Sequence, residues 1–299
     1  FSIKNSAISL AKFEIINVYI NQNNFFNKNN LSIDQVIIHE ANFSLLKDDF
    51  KRLSANTKNK FSNKKIKIKN SNIFLKDNLS EITAIIKISN AELFFDEKKL
   101  LNLIDLKGEV FNIPFSLNYQ HALNSKKKIL ITIEANDIRL KIINESFRLD
   151  ENLTTGTNNI SVLNSTINTE FNVLDQIIKF ESSNSRMYDS KINYNGRLAI
   201  KPFDLDLTID LKDHKISNLF ISNPIINEFI KSGLLFNENI SINTLININS
   251  KIRDEIFSEA KIQLNILNGK INFDNSIFIS DYIGFLKISN SDLFLKKDK

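Results

Sequence analysis

The sequence contains no cysteine, so disulfide bonds, thiolate metal ligands and cysteine nucleophiles are all excluded. It also has no tryptophan, only three prolines and only six glycines in 299 residues. No two glycines are close enough to form a dinucleotide-binding fingerprint, a phosphate-binding loop or a nucleophile elbow. His39, His121 and His214 are isolated, and none has a second His or Cys at metal-ligand spacing. We therefore predict no catalytic residues, no metal site and no cofactor.

The residues that are present suit a folded protein without a nucleic-acid partner. Hydrophobic residues make up 42% and charged residues 24%, which is enough apolar surface to offset the entropy of ordering the chain. The net charge is +5, but the basic residues are scattered. At residues 65–69 lysines alternate with isoleucines, as they do in a strand with one solvated face. No apolar run approaches the roughly 18 to 20 residues that a membrane-spanning helix needs.

A pattern of four apolar residues recurs along the chain, with spacings of two, five and two. The clear copies are Val36-Ile38-Phe43-Leu45, Ile66-Ile68-Ile73-Leu75, Ile86-Ile88-Leu93-Phe95, Leu264-Ile266-Ile271-Phe273 and Leu286-Ile288-Leu293-Leu295. Weaker copies begin at Phe1, Ile160 and Met187. The five-residue step usually carries Asn, Ser, Asp, Glu or Gly, which accept turn or left-handed backbone conformations.

The spacing predicts a bend or turn inside each copy. Steps of two keep side chains on one face of a strand, whereas a step of five reverses the face unless an extra residue restores it. A β-bulge does this, and so does a hairpin with a four-residue loop. We favour the bulged strand, except at Asn268-Gly269, where the dipeptide is typical of a tight turn. Either way the apolar residues share one face, and Lys65, Lys67 and Lys69 lie on the other.

The remaining segments also indicate strands, separated by short polar breaks. The best helix candidate follows Ser222-Asn223-Pro224 and ends at Gly233. No linker marks a domain boundary. We therefore predict a mainly β protein, an elongated twisted antiparallel sheet that forms a groove, with one or a few short helices. Residues 1–299 would be one continuous segment, with a helix-containing C-terminal part at about 215–299.

Three units of the repeat are KIKIKNSNIFLKD (65–77), IIKISNAELFFDE (85–97) and LKISNSDLFLKKD (286–298). Together with the stretches at 224–249 and 267–295, they resemble the AsmA-like family (YhdP/TamB type) of Gram-negative envelope proteins. The resemblance implies an N-terminal inner-membrane anchor, an elongated β groove in the periplasm, and movement of phospholipid toward the outer membrane. We expect this sequence to be part of a longer natural chain, with the anchor in a segment that precedes it.

The expected function is therefore non-enzymatic binding or transfer of phospholipid, or another acyl-chain lipid, along an apolar groove. The residues expected to line it are Ile66, Ile68, Ile73, Leu75, Ile86, Ile88, Leu93, Phe95, Leu286, Ile288, Leu293 and Leu295. A protein partner in the envelope is not specified by the sequence. Two alternatives stay open: a structural β protein whose apolar faces are sealed in a core, and a carbohydrate-active or other enzyme that uses dispersed carboxylates.

Overall fold

The computed structural model describes residues 2–5, 8–21, 33–46, 49, 59–76, 81–123, 128–150, 152–187, 190–200, 202–216, 234–250 and 256–294. It is 73% strand and 3% helix, which confirms a mainly β fold with few helices. Two 3₁₀ turns lie at Asn136–Ile138 and Leu234–Phe236. Within these ranges no helix is long and apolar enough to cross a membrane. The predicted helix at 223–233 falls outside the described residues.

The chain divides into two compact units: unit 1 comprises residues 1–149 and 160–163, and unit 2 comprises residues 150–159 and 164–299. The strands up to the boundary are β1 (Ser2–Asn5), β2 (Ile8–Lys12), β3 (Ile15–Ile20), β4 (Ile33–His39), β5 (Asn42–Leu46), β6 (Lys65–Lys76), β7 (Ile82–Asp96), β8 (Leu101–Val110), β9 (Ile113–Ala122), β10 (Lys128–Ala135), β11 (Leu140–Arg148) and β12 (Leu153–Val162). Those that follow are β13 (Ser165–Leu174), β14 (Ile177–Met187), β15 (Ser190–Ala199), β16 (Phe203–Lys212), β17 (Ile240–Asn249), β18 (Glu259–Leu267), β19 (Lys270–Asn272), β20 (Ile277–Ser280), β21 (Gly284–Lys287) and β22 (Leu293–Phe294).

In unit 1, consecutive strands from β6 to β11 pair antiparallel, each with the next. Strands β4 and β5 both pair in parallel with the other edge of β6. β4 pairs with the first half of β6, and β5 pairs with its second half. In unit 2, β13 to β16 are consecutive antiparallel neighbours, β17 joins β16 in parallel, and β18 returns antiparallel. The pairing is thus mixed and not antiparallel throughout. Two neighbouring parallel strands require a long connection between them, and residues 47–64 and 213–239 provide these connections.

The polar step of the repeat bends the strand in three neighbouring copies, as predicted. Glu40 and Asn70 have left-handed backbones, with φ of 53° and 49°, and they lie side by side because β4 and β5 keep one register against β6. In β7 the extra residue is Ser89, which lies between the pairs that Ile88 and Asn90 make with β8. The extra residues of β4–β5, β6 and β7 lie side by side, so these strands stay paired on both sides of the bend.

Other copies of the repeat contain a turn between two strands instead of a bulge. Asn268 and Gly269, with φ of 52° and 71°, make the tight turn between β18 and β19, as the dipeptide predicted. In the copy that begins at Ile160, the turn between β12 and β13 contains Leu163 with φ of 52°. The bulge and the hairpin therefore both occur, and the same spacing serves two local structures.

A hydrophobic core fills one part of unit 2. Ile192, Leu211, Ile216, Ile248, Ala260 and Phe278 form it. Ile216, which follows β16, is only 1% exposed. Near it, His214 shares a hydrogen bond of 2.8 Å between its Nδ1 and the hydroxyl of Ser190. In this part of unit 2 the apolar side of the sheet is covered.

Candidate functional site: the apolar face of unit 1

One face of the unit 1 sheet is apolar across many strands, and strand β8 defines it. β8 has no bulge against β9, so its even-numbered residues share one face. Their partners on β7 are Ile86, Ile88, Ala91, Leu93 and Phe95. The partners of these on β6 include Ile66, Ile68, Ser71 and Ile73, and Leu75 follows on the same side. We call this surface the apolar face of unit 1, and it contains every predicted lining residue of the two early motif copies.

The apolar face continues beyond the repeat into strands that have no motif. One row of directly paired residues crosses the sheet through Ile38, Ile68, Ala91, Leu106, Leu117, Ile133 and Ile142. A second row passes through Val36, Ile66, Leu93, Ile104, Tyr119 and Ile131. Apolar side chains thus form bands perpendicular to the strands, about 4.8 Å apart along each band.

The opposite face of unit 1 is the more polar one, although apolar pairs such as Phe94 and Leu103 also lie on it, and it carries ion pairs between neighbouring strands. Lys65 lies 2.7 Å from Glu92 and Lys87 lies 2.8 Å from Glu109, measured between Nζ and Oε1. Lys67 and Lys69 are on this face as predicted, and both are half-buried. These exposed pairs contribute little stability individually, but they show which side of the sheet faces water.

Most predicted lining residues of unit 1 are half-buried: Ile66, Ile68, Ile73, Leu75, Ile86 and Leu93. Ile88 and Phe95 are buried, at 3% and 5% exposure. Among the described residues, the close backbone contacts of β6 to β11 are with their hydrogen-bonded neighbours and with the turn at Asn136–Ile138. The face therefore leaves apolar side chains partly accessible over a wide area.

One end of the apolar face is closed by the segment before β6. Asn102 on β8 is fully buried, accepts a hydrogen bond of 2.9 Å from the backbone N–H of Phe61, and donates one of 2.7 Å to the carbonyl of Asn59. The ammonium group of Lys60 lies 4.3 Å from the centroid of the Phe95 ring. Phe95 is therefore covered by this segment.

A buried serine completes the bend in β6. Ser71 follows the left-handed Asn70, is 2% exposed, and accepts a hydrogen bond of 3.0 Å from the backbone N–H of Ala41 in the gap between β4 and β5. Small residues occupy the same motif position in the neighbouring copies, at Ala41 with 0% and Ala91 with 2% exposure. A larger side chain would have to enter the bend, so a small residue at this position is a second feature of the motif.

The predicted lining residues of the last motif copy lie in unit 2, and those that the structure describes have two different environments. Leu286 and Leu293 are exposed, at 50% and 52%, and they pair with Phe278 and Ile271 respectively. Ile288 is half-buried and packs against the core of unit 2. Leu295 lies outside the described residues. The copy is therefore divided between an exposed edge and a sealed core.

Sequence reasoning missed the contribution of β9, β10 and β11 to the apolar face. Leu117, Ile131 and Ile133 belong to it, yet they lie outside every motif copy. The signal was simple alternation, with apolar residues at 113, 115, 117 and 119 and then at 129, 131 and 133. These strands contain no five-residue step, so the repeated pattern does not include them.

His121 and His214 have different surroundings. His121 is buried in the apolar face of unit 1, whereas His214 is buried beside Ser190 in unit 2. In the part of the chain that the structure describes, no three or more His, Cys, Asp or Glu side chains are arranged to hold a metal ion. The chain matches no known family model, no curated protein and no solved structure.

Proposed function

We propose that this protein binds the acyl chains of lipids along the apolar face of unit 1, without catalysis. The observation that supports it best is that two apolar rows cross the sheet from β4, one to β11 and the other to β10, and that nearly all of their side chains are half-buried. A row perpendicular to the strands offers a linear track of methyl and methylene groups. An acyl chain is complementary to such a track, because it is long, apolar and without hydrogen-bonding groups.

The energetics of burial are sufficient for this role. Each CH₂ group transferred from water gains about 0.8 kcal/mol, so ten methylenes in full contact would gain about 8 kcal/mol. Losses from ordering the flexible chain lower this figure. No charged or polar anchor is needed for such affinity, so a lipid site of this kind has no recognisable chemical motif.

The resemblance to the AsmA-like family gives the proposal its cellular setting. Two of the three quoted motif stretches, at 65–77 and 85–97, contain β6 and most of β7, which both apolar rows cross. On this basis the lipid is a phospholipid, and the groove carries it between the inner and outer membranes. The protein would then act in the periplasm, held by an inner-membrane anchor in the full-length chain, with outer-membrane homeostasis as the result.

A structural role is the second candidate, and the core of unit 2 favours it. There Ile216 and Ile288 cover the apolar side of the sheet, as expected of a scaffold with sealed faces. The two candidates differ in what unit 1 does with its apolar face. A scaffold would hold no lipid, whereas a lipid carrier would retain one through gentle purification.

Two neighbouring residues on β10 make a matched test. Ile131 and Leu130 are both half-buried, but Ile131 lies on the apolar face, whereas Leu130 pairs with Gln120 and Glu145 on the polar face. The experiment compares Ile131→Asp, Leu130→Asp and the unchanged protein by native mass spectrometry for co-purified phospholipid. Circular dichroism verifies that each variant is folded.

We expect the unchanged protein and Leu130→Asp to carry lipid and Ile131→Asp to lose it while folded, because a carboxylate in the apolar row must be desolvated when lipid binds. If the unchanged protein carries no lipid under any gentle condition, the scaffold role is favoured. Unfolding of Ile131→Asp alone would show that the face belongs to a sealed core. Ile88→Asp is expected to unfold in either case, since Ile88 is only 3% exposed.

A further inference from the structure

The polar side of the unit 2 sheet carries two rows of hydrogen-bonding side chains that cross the strands. The first row is Glu170, Glu181, Asn195 and Thr208 on β13 to β16. The second row is Asn193, Asp210, Asn247 and Lys261 on β15 to β18. Neighbouring strands are about 4.8 Å apart, so an extended ligand lying along a row would meet a new polar side chain at each strand.

Two adjoining hollows lie on these rows. The first, of about 510 Å³, is bounded by both glutamates of the first row and by Asn195. The second, of about 520 Å³, lies over β16 to β18, and the two hollows share Asn193 and Asp210. Both volumes are within the range of ligand-binding clefts. The hydrogen bond of 2.8 Å from Asn247 Nδ2 to Asp210 Oδ1 holds the shared carboxylate in place.

The chemistry of the first hollow excludes two classes of ligand. Its described lining includes three carboxylates, at Glu170, Glu181 and Asp210, and no Lys or Arg, so a phosphate or another polyanion would be repelled. Its lining has no aliphatic Leu, Ile or Val side chain, and the ring of Tyr194 is its one aromatic surface. An acyl chain therefore has little to contact there.

The arrangement of the glutamates favours a ligand that donates hydrogen bonds. Glu170 and Glu181 are directly opposite each other in the β13–β14 ladder, and both are exposed. Among the described residues no cation pairs with either of them, and like charges in this position destabilise a sheet. Hydroxyl groups placed between the two carboxylates would donate to both, while the amide of Asn195 both donates and accepts.

We propose that the first hollow forms a binding site for a neutral oligosaccharide that lies across β13 to β16. Such a chain presents hydroxyl groups at regular intervals, carries no negative charge, and matches a lining of amides, carboxylates and hydroxyls. The second hollow has a different lining, which includes Lys212, Lys261 and Ile277, and it is not part of the proposed site. The site is in a different unit from the proposed lipid track and on the polar side of the sheet. It does not depend on lipid binding.

The test compares two exposed asparagines on the polar face of unit 2. Asn195 lies in the first hollow, whereas Asn172 on β13 lies outside it. The unchanged protein, Asn195→Ala and Asn172→Ala are applied to an array of neutral hexasaccharides built from glucose, mannose, galactose or N-acetylglucosamine, together with a sulfated hexasaccharide. The strongest neutral probe is then titrated by calorimetry against all three proteins.

We expect a neutral hexasaccharide to bind and the sulfated one not to bind. Asn195→Ala should weaken binding about tenfold, the loss of one hydrogen bond to the ligand, and Asn172→Ala should leave binding unchanged. Thermal unfolding should be the same for all three proteins. The proposal is overturned if no neutral probe binds, if the sulfated probe binds equally well, or if the two variants weaken binding to the same extent.

Discussion

Replacing Ser71 by Ala isolates the contribution of the buried hydrogen bond at the bend of the repeat. Ser71 Oγ accepts from the N–H of Ala41 at 3.0 Å and donates to the carbonyl of Lys69 at 2.8 Å. That carbonyl also accepts from the N–H of Glu40, at 3.1 Å, so it keeps a partner in the variant. The N–H of Ala41, which is fully buried, would lose the partner that Ser71 provides. The expected cost is about 1 to 3 kcal/mol.

Two measurements test this cost. Urea unfolding should show a lower free energy of unfolding for Ser71→Ala, and the amide of Ala41 should exchange with solvent about 5- to 150-fold faster, since each 1.36 kcal/mol is a factor of ten. The control is Ser89→Ala at the bulge of β7, where the serine is exposed and donates to the carbonyl of Lys107 at 2.9 Å. It should change stability by less than about 0.5 kcal/mol. Equal effects of the two substitutions would refute the reasoning.

Two further perturbations have expected outcomes. In Gly108→Ala the new Cβ would lie 2.5 Å from the carbonyl oxygen of Lys87, so we expect about 1 to 3 kcal/mol of destabilisation in urea unfolding, and an unchanged midpoint would contradict this close approach. The pKa of Glu14 is raised above 4.5 by a side-chain hydrogen bond and charge repulsion from Glu40. The stability that protonated Glu14 contributes is therefore lost as the pH rises through this raised pKa, and Glu14→Gln should make the melting temperature less dependent on pH above 4.5. A pH dependence identical to that of the unchanged protein would contradict it.

The fold class and the shared face of the motif residues could be predicted because they depend on local periodicity. Ile73 and Ile86 pair directly in the β6–β7 ladder, as apolar residues on one face must if the five-residue step contains an extra residue. Asn70 supplies the left-handed conformation at that step, and asparagine accepts this conformation more readily than most residues.

What escaped prediction depends on long-range pairing. The parallel joins of β4 and β5 to β6 and of β16 to β17 follow long crossovers, and no local pattern specifies which strands meet after such a connection. Ile86 and Ile88 both occupy motif positions on one strand, yet Ile88 is buried and Ile86 is half-buried. The exposure of a side chain at a motif position therefore could not be predicted from the sequence.

A photocrosslinking residue placed on β9 tests the central claim, that the apolar face of unit 1 holds lipid. Leu117 lies on the apolar face and Ser116 on the polar face, and both are half-buried. Each is replaced in turn by a benzophenone amino acid, the protein is irradiated in Gram-negative cells, and mass spectrometry identifies attached phospholipid. We predict phospholipid attached at position 117 and none at position 116. Equal yields at the two positions, or none at 117, would contradict the account.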